Sequence, residues 1–158
     1  MSEEKTNVMR VLDQKKVPYT PHHYAHPDVA VDGASVAALI GKAPASVCKT
    51  LVTQGASKKY YVFVIPVLKE LDLKAAARAV GEKSIEIIRQ AQLIPLTGYV
   101  HGGCSPVGMK KQFPTVFDQS VEGLDTITVS AGKIGAQVEV APAALAGLVR
   151  GRFAPVAK

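Results

Sequence analysis

Apolar residues recur along the chain with the two spacings that distinguish helices from strands. Where they recur every three or four positions, we predict helices from residue 8 to the stop at Pro18, at 33–40, at 72–80, over a short stretch that opens at 84, and at 142–149. Capping residues support two of these helices, because Asp32 and Gly41 enclose one segment and Asp72 and Gly81 enclose another.

Runs of β-branched and aromatic residues predict strands between these helices. The runs lie at 19–24, 46–53, 60–67, 98–101, 115–118, 126–130 and 137–141, and the segment 54–59 joins two of them as a hairpin loop. Helices and strands do not alternate one for one, which disfavours a doubly wound parallel sheet. We therefore predict an α+β fold, a mixed sheet with helices packed around it, in a single domain over residues 1–158.

Composition and cysteine usage narrow the class of protein. A chain of 158 residues that is 47% hydrophobic buries a core without disulfides or metals. Aromatic residues make up 6% and Trp is absent, so we expect no aromatic stacking surface for single-stranded nucleic acid. The two cysteines have neither CxxC nor zinc-ligand spacing. The first residues lack a signal-peptide pattern, and the longest uncharged stretch, 90–109, contains prolines and glycines unsuited to a membrane span, so we expect a cytoplasmic protein.

The net charge of +6 is spread over several basic patches. Lysines pair at 58–59 and 110–111, and residues 150, 152 and 158 are basic with no acid after Glu139. Such patches suit a polyanion, and they equally suit a solvated surface that keeps a domain soluble. Charge alone leaves both interpretations open.

Two segments carry the first candidates for chemistry. Gly102 and Gly103 lie in the glycine-rich and proline-rich region 95–114, and paired glycines let a backbone approach a ligand and direct amide hydrogens at an anion or an oxyanion. A plain turn is the alternative, since the segment matches neither a phosphate loop nor a dinucleotide fingerprint. Lys49 lies within an apolar strand, where its side chain either reaches into water or points into a ligand pocket.

Three histidines cluster at positions 22, 23 and 26, and the two interpretations are a metal site and a surface or partly packed cluster. Pro21 and Pro27 indicate extended or loop backbone, which removes the helical spacing that would pair His22 with His26. No neighbouring acid or thiol completes a ligand set. We therefore predict that the protein holds no metal.

Two more clusters have functional and structural interpretations. Cys104 and Ser105, with His101 three residues earlier, invite a nucleophile, but a nucleophile needs a base and a group that orients the base, which near neighbours in a loop rarely provide. Ser130 and Gly132 lie where a predicted strand runs into a glycine turn. Their hydroxyl and amides can line a cleft, and a plain turn is again the alternative.

Five ordered blocks of the sequence together resemble a known family. They are Tyr24, 48–52 (CKTLV), 71–74 (LDLK), 97–108 (TGYVHGGCSPVG) followed by Lys110 and Lys111, and 129–133 (VSAGK). The blocks span nearly the whole chain and are similar to the YbaK/EbsC family of aminoacyl-tRNA editing proteins, especially its free-standing Cys-tRNA(Pro) deacylase branch. This resemblance implies a mixed, partly barrel-like sheet surrounded by helices.

The resemblance also implies an activity and residues that carry it. The expected reaction removes misattached cysteine from the 3′ end of tRNA(Pro), with the substrate's own thiol attacking the ester and with no protein nucleophile, metal or cofactor. Lys49 would orient the aminoacyl-adenosine end, and the amides of Gly102 and Gly103 would stabilise the oxyanion. Tyr24 would wall the pocket. Ser130 and Gly132 would contact the substrate, and prolyl-tRNA synthetase is an expected partner.

The sequence leaves two alternatives open. Cys104 and Ile134 depart from the residues usual in that branch, which leaves open another small misacylated tRNA such as Ala-tRNA(Pro). A non-catalytic module that binds tRNA or a synthetase would also explain the basic patches.

Overall fold

Two open β-sheets and five α-helices make up the part of the chain that the computed structural model describes, residues 5–25 and 31–158. The helices are α1 (Asn7–Gln14), α2 (Gly33–Ile40), α3 (Leu73–Val80), α4 (Leu93–Thr97) and α5 (Pro142–Val149). The strands are β1 (Thr20–His23), β2 (Cys48–Gly55), β3 (Tyr60–Pro66), β4 (Ile85–Ile87), β5 (Thr115–Asp118), β6 (Ile127–Lys133), β7 (Ala136–Val140) and β8 (Arg152–Ala154). The described helices have at most eight residues, and none can cross a membrane.

The larger sheet has the strand order β4-β2-β3-β5-β8 and the smaller sheet has the order β1-β7-β6. β2 and β3 form the predicted antiparallel hairpin, whereas β3–β5 and β5–β8 are parallel, so the α+β class with a mixed sheet is confirmed. A parallel bridge between Val47 and Thr128 joins the two sheets at one corner. The sheets do not close into a barrel.

Both faces of the larger sheet are covered, which explains why β3 is an almost continuous apolar run. On one face, Val62 and Val64 pack into a core shared with α1, α5 and the smaller sheet. On the other face, Phe63 and Ile65 pack with Ala76 under α3. The smaller sheet contributes only one apolar face to the core, and its other face is polar.

The predicted caps form as expected. The Asp32 carboxylate accepts a hydrogen bond from the Ser35 amide at 3.1 Å, and that of Asp72 accepts one from the Ala75 amide at 3.1 Å. Gly41 ends α2 in the left-handed conformation, with φ +71°. Local sequence therefore determines where these helices begin and end.

Two predicted elements are wrong and two were missed. The segment after Ser84 is strand β4 rather than a helix, because it pairs with the end of β2. Residues 98–101 are irregular and lead into the turn at 100–103 rather than forming a strand. Helix α4 was missed because it contains Pro95, which lies in the first turn, where a helix needs no amide hydrogen. β8 was missed because three residues carry little pattern of their own.

A candidate active site at the junction of the two sheets

A cavity of about 240 Å³ lies where the two sheets meet. Its walls come from the first half of β2, the polar face of the smaller sheet, the start of α2 and the turn after α4. The polar residues that line it include Lys49, Thr50, His101, Ser130 and Gln137. Segments distant in sequence therefore converge on one cavity.

The edge of β2 is open at this cavity. β4 pairs only with Thr53–Gly55, so it does not cover the start of the strand. The Val67 amide donates to the Val47 carbonyl at 2.9 Å, and because antiparallel hydrogen bonds alternate, the amide and carbonyl of Thr50 point away from β3. The cavity consequently has backbone donors and acceptors as well as side chains along one wall.

Lys49 lies in the wall of the cavity, as one of its two sequence interpretations requires. Strand alternation puts it on the face of Leu51, which packs toward the core under α3, whereas Cys48 and Val52 face the larger core. The lysine is half-buried at the strand edge. Lys49 is the basic residue among the described residues that line this cavity, apart from His101.

The polar face of the smaller sheet supplies the opposite wall. Ser130 on β6 and Gln137 on β7 are direct cross-strand partners, so their side chains share one face, and both are buried. Within the described residues, Gln137 Oε1 and Thr50 Oγ1 are buried and have no hydrogen-bond partner. Buried polar groups are nearly always paired, so both atoms are available to a molecule bound here, the Gln137 oxygen as an acceptor and the Thr50 hydroxyl as a donor or an acceptor.

Of the two predicted glycines, Gly102 lines the cavity and Gly103 is not among its described lining residues. Gly102 lines the cavity and has φ +86°, which fits the third position of a type II turn. The Gly103 amide already donates to the Val100 carbonyl at 3.0 Å. Because this amide is used within the turn, the structure favours Gly102 over Gly103 as the oxyanion donor, and the role of Gly103 stays a prediction.

Gly103 has a packing role instead. A Cβ at this position would lie 3.0 Å from Lys133 Cα, so the turn packs directly on the backbone of the β6–β7 hairpin. This close approach fixes the position of Gly102 relative to Ser130. Gly102 therefore lines the cavity, and Gly103 allows the close contact between the turn and the β6–β7 hairpin.

Gly132 acts through Ser130 rather than from within the cavity. Its amide donates to Ser130 Oγ at 3.1 Å, across an irregularity in the pairing of β6 with β7. The amide occupies a lone pair of the hydroxyl and leaves the hydroxyl proton for a ligand. Gly132 lines a second cavity and is not among the described residues that line the first, so its predicted contact with the substrate end stays a prediction.

Tyr24 is buried at the end of β1, where its amide donates to the Gly135 carbonyl at 3.0 Å. It follows His22, which pairs with Gln137, and it therefore shares the polar face of the smaller sheet. It is not among the described residues that line the cavity. Tyr24 therefore lies beside Gly135 in the turn of the β6–β7 hairpin, two residues from Gln137 along the chain.

The cysteine, serine and histidine near the turn do not form a nucleophile. Burial raises the pKa of the Cys104 thiol to about 12, so the thiol stays protonated. Ser105 is buried and its Oγ accepts a hydrogen bond from the Val107 amide. In the described part of the chain, no hydrogen bond links His101 to either residue.

One member of the histidine cluster pairs with an acidic side chain. His22 lies 2.8 Å from Glu139, and His26 lies outside the described residues. Residues 5–25 and 31–158 contain no group of three or more potential metal-ligating His, Cys, Asp or Glu side chains.

Glu139 ties α2 to the smaller sheet. Its carboxylate accepts from the Thr126 hydroxyl, lies 2.8 Å from His22 Nε2 and lies 3.0 Å from Lys42 Nζ, just beyond the end of α2. The Thr126 hydrogen bond, then those of His22 and Lys42, lower the pKa of Glu139 to about 2 against the opposing effect of burial. The cluster therefore fixes α2 against the sheet that carries Gln137.

This cluster predicts a pH-dependent contribution to stability. Because the folded-state pKa of about 2 lies below the ordinary 4.5, the stabilisation is present above the ordinary value and is lost as the pH falls toward the folded one. We expect Glu139→Gln to lower the free energy of unfolding by about 1–2 kcal/mol at neutral pH, allowing for solvent screening. Urea denaturation of both proteins from about pH 6 to about pH 2 should show the difference vanishing at the acid end.

Glu86→Gln is the matched control, since Glu86 is an exposed carboxylate on β4. A pH-independent difference at Glu139, or an equal effect at Glu86, would contradict this assignment.

The fold therefore holds a cavity between two sheets that is lined by one lysine, a glycine turn and two buried polar groups without a partner. Residues 26–148 match the family model of the aminoacyl-tRNA editing domain, and the chain belongs to this family. It is 44% identical over 155 residues to an Enterococcus faecalis protein named "Putative Cys-tRNA(Pro)/Cys-tRNA(Cys) deacylase EbsC", covering 98% of this chain and 94% of that one.

Solved structures show the same fold. A "putative trans-editing enzyme for prolyl tRNA synthetase" superposes with a TM-score of 0.82 and 21% identity, over 98% of this chain and 99% of the other. A protein described as hypothetical superposes with a TM-score of 0.87 and 23% identity, over 97% of this chain and all of the other. The family resemblance predicted from the five sequence blocks is confirmed.

Sequence reasoning missed Thr50 and Gln137. The signal for Gln137 was the strict alternation of β7, Ala136-Gln-Val-Glu-Val140, which marks one polar face. Alternation alone predicts that such a face is exposed to water. Only the packing of β2 and α2 against it shows that Gln137 is buried.

Proposed function

We propose that this protein is a trans-editing deacylase that removes misattached cysteine from Cys-tRNA(Pro). Family membership and the name of the Enterococcus relative support the reaction class and the substrate. The observation that carries the proposal is the small cavity that combines Lys49 with two unpaired buried acceptors. A purely tRNA-binding module has no need of buried unpaired acceptors beside a lysine, because phosphate contacts are made at the surface.

The cavity has a group for each end of an aminoacyl ester. Gln137 Oε1 and Thr50 Oγ1 can accept hydrogen bonds from the α-ammonium group of the amino acid. Lys49 orients the terminal ribose and ester. The Gly102 amide and the Ser130 hydroxyl are donors for the negative charge that develops on the carbonyl oxygen.

The reaction requires no nucleophile from the protein. The cysteine thiol of the substrate loses its proton and its sulfur attacks the ester carbonyl carbon, which forms a tetrahedral oxyanion. Collapse of the oxyanion breaks the bond to the ribose oxygen, which takes up a proton, and cysteine leaves as a cyclic thiolactone. The protonated, buried Cys104 thiol is consistent with a site that leaves the attack to the substrate.

Free-standing editing has a simple physical reason. Cysteine and proline are similar in size, and a synthetase pocket discriminates poorly between side chains that differ by about one methylene. A second site that recognises the mischarged product then supplies the missing selectivity. Under this proposal the protein acts in the cytoplasm on tRNA released by, or still bound to, prolyl-tRNA synthetase.

The test compares labelled Cys-, Ala- and Ser-tRNA(Pro) with a Cys-tRNA(Pro) whose sulfur has been methylated. We expect release of cysteine alone, and we expect the methylated substrate to bind without cleavage, because its sulfur cannot become a nucleophile. Fast cleavage of the methylated ester would show that water, not the thiol, attacks. Release of alanine instead would assign the same site to Ala-tRNA(Pro), and cleavage of none would contradict an editing activity.

A further inference from the structure

A second cavity, of about 320 Å³, lies beside the candidate active site and is strongly basic. It is bounded by the start of α1, by Tyr99 and by the end of β6. Lys5, Arg10 and Lys133 reach it from separate segments, and no acidic side chain is among its described lining residues. The family roles assigned above leave Arg10 and Lys133 without a function.

Two of the three cations are available for a ligand. Lys5 lies 2.5 Å from Asp13, so its charge is compensated within the protein. Among the residues that the structure describes, no carboxylate is paired with Arg10 or Lys133, and both side chains are exposed. Two unpaired cations around one concavity attract an anion with negative charge at more than one position.

The two cavities are connected through the same backbone. Ser130 lines the first cavity and Gly132 and Lys133 line the second, so about 10 Å of strand separates the two sites. Gly103 packs on Lys133, and its neighbours Gly102 and Cys104 line the first cavity. The second cavity lies on the α1 side of β6, so a ligand held at Ser130 reaches Lys133 by passing around β6, which is an edge strand of the smaller sheet.

We infer that Arg10 and Lys133 bind backbone phosphates of the single-stranded 3′ end of tRNA, next to the terminal nucleotide. This inference rests on the proposed function, which puts the terminal aminoacyl ester in the first cavity. The RNA strand that leads away from that ester carries one phosphate per nucleotide. The basic cavity lies about 10 Å of β-strand from Ser130, within reach of the phosphates next to the ester. An RNA strand fits these observations better than an acidic protein surface, because the ester itself fixes where the phosphates begin.

The experiment measures binding of uncharged RNA by fluorescence anisotropy. The probe is an acceptor-stem hairpin with a single-stranded 3′ overhang, and the comparison probe is the same hairpin with a blunt end. The test variant carries Arg10→Gln and Lys133→Gln. The control carries Lys58→Gln and Lys59→Gln, which remove the same charge from the exposed hairpin loop at the far end of β2 and β3.

We expect the test variant to bind the overhang hairpin about tenfold more weakly than the unsubstituted protein, with a salt slope lower by about 1.4 for two single-strand phosphates. It should also lose the preference for the overhang over the blunt probe. The control should change affinity less than about twofold.

An equal loss in both variants, or unchanged binding in the test variant, would overturn the inference and would point to an acidic protein surface or to diffuse attraction. Failure of the proposed activity gives a different result. A protein that binds the overhang through Arg10 and Lys133 but cleaves no aminoacyl-tRNA contradicts the deacylase and leaves the phosphate site standing.

Discussion

Replacing Lys49 with alanine should lower kcat/KM for cysteine release from Cys-tRNA(Pro) by about 100-fold to 1,000-fold, the range for losing one preorganised electrostatic contact. The lysine lies in the wall of the cavity, at the open edge of β2. In a partly buried site, a charge that orients the ester has a larger effect than on the open surface. The effect should appear in single-turnover rates of deacylation measured with labelled substrate.

Two comparisons make this result specific to the cavity. Lys49→Arg keeps the charge but replaces a compact ammonium group with a planar guanidinium group, and we expect only partial recovery. Lys59→Ala removes an exposed lysine of the hairpin loop and should leave the rate within about twofold. If Lys49→Ala folds normally and deacylates at the original rate, the lysine has no part in the reaction.

The second large effect is expected at the paired glycines, where alanine should act differently at two adjacent positions. Gly102→Ala strains a backbone with φ +86° and displaces the free turn amide, so we expect kcat to fall by about 100-fold. The strain itself should cost about 1–2 kcal/mol of stability. Single-turnover rates and urea denaturation of the same preparation separate the two effects.

Gly103→Ala should mainly affect folding. Its Cβ would lie 3.0 Å from Lys133 Cα and 3.1 Å from the Ile134 amide nitrogen, and backbone cannot yield as a flexible side chain does. We expect a loss of about 1–3 kcal/mol, as for other overpacked sites. At a temperature where both variants are folded, kcat should fall further in Gly102→Ala. The reverse order would return the oxyanion role to Gly103.

The helices and the hairpin could be predicted because their determinants are local. Asp32 and Gly41, like Asp72 and Gly81, satisfy the free backbone groups at the two ends of a helix within a few residues. The elements that failed depend on distant partners. β4 forms because Gly55 and its neighbours leave an edge of β2 free to pair. Residue propensities alone do not show that such an edge is present.

The candidate site was predicted in part. The sequence blocks identified Lys49, Gly102 and Ser130, and all three line the same cavity. The order of residues does not show which amide a turn already uses. The structure adds that the Gly103 amide donates to the Val100 carbonyl, which favours Gly102 as the donor to a ligand.

Residue types and short-range order are enough to predict the family, the class of fold and the residues that can bind a charged ester. They do not show which polar groups are buried together, and that requires the tertiary structure. The alternation of β7 marks Gln137 as polar, but only the open edge of β2 and the start of α2 cover it and leave its oxygen unpaired. Burial depends on what packs against a face, and that information is spread over segments far apart in the chain.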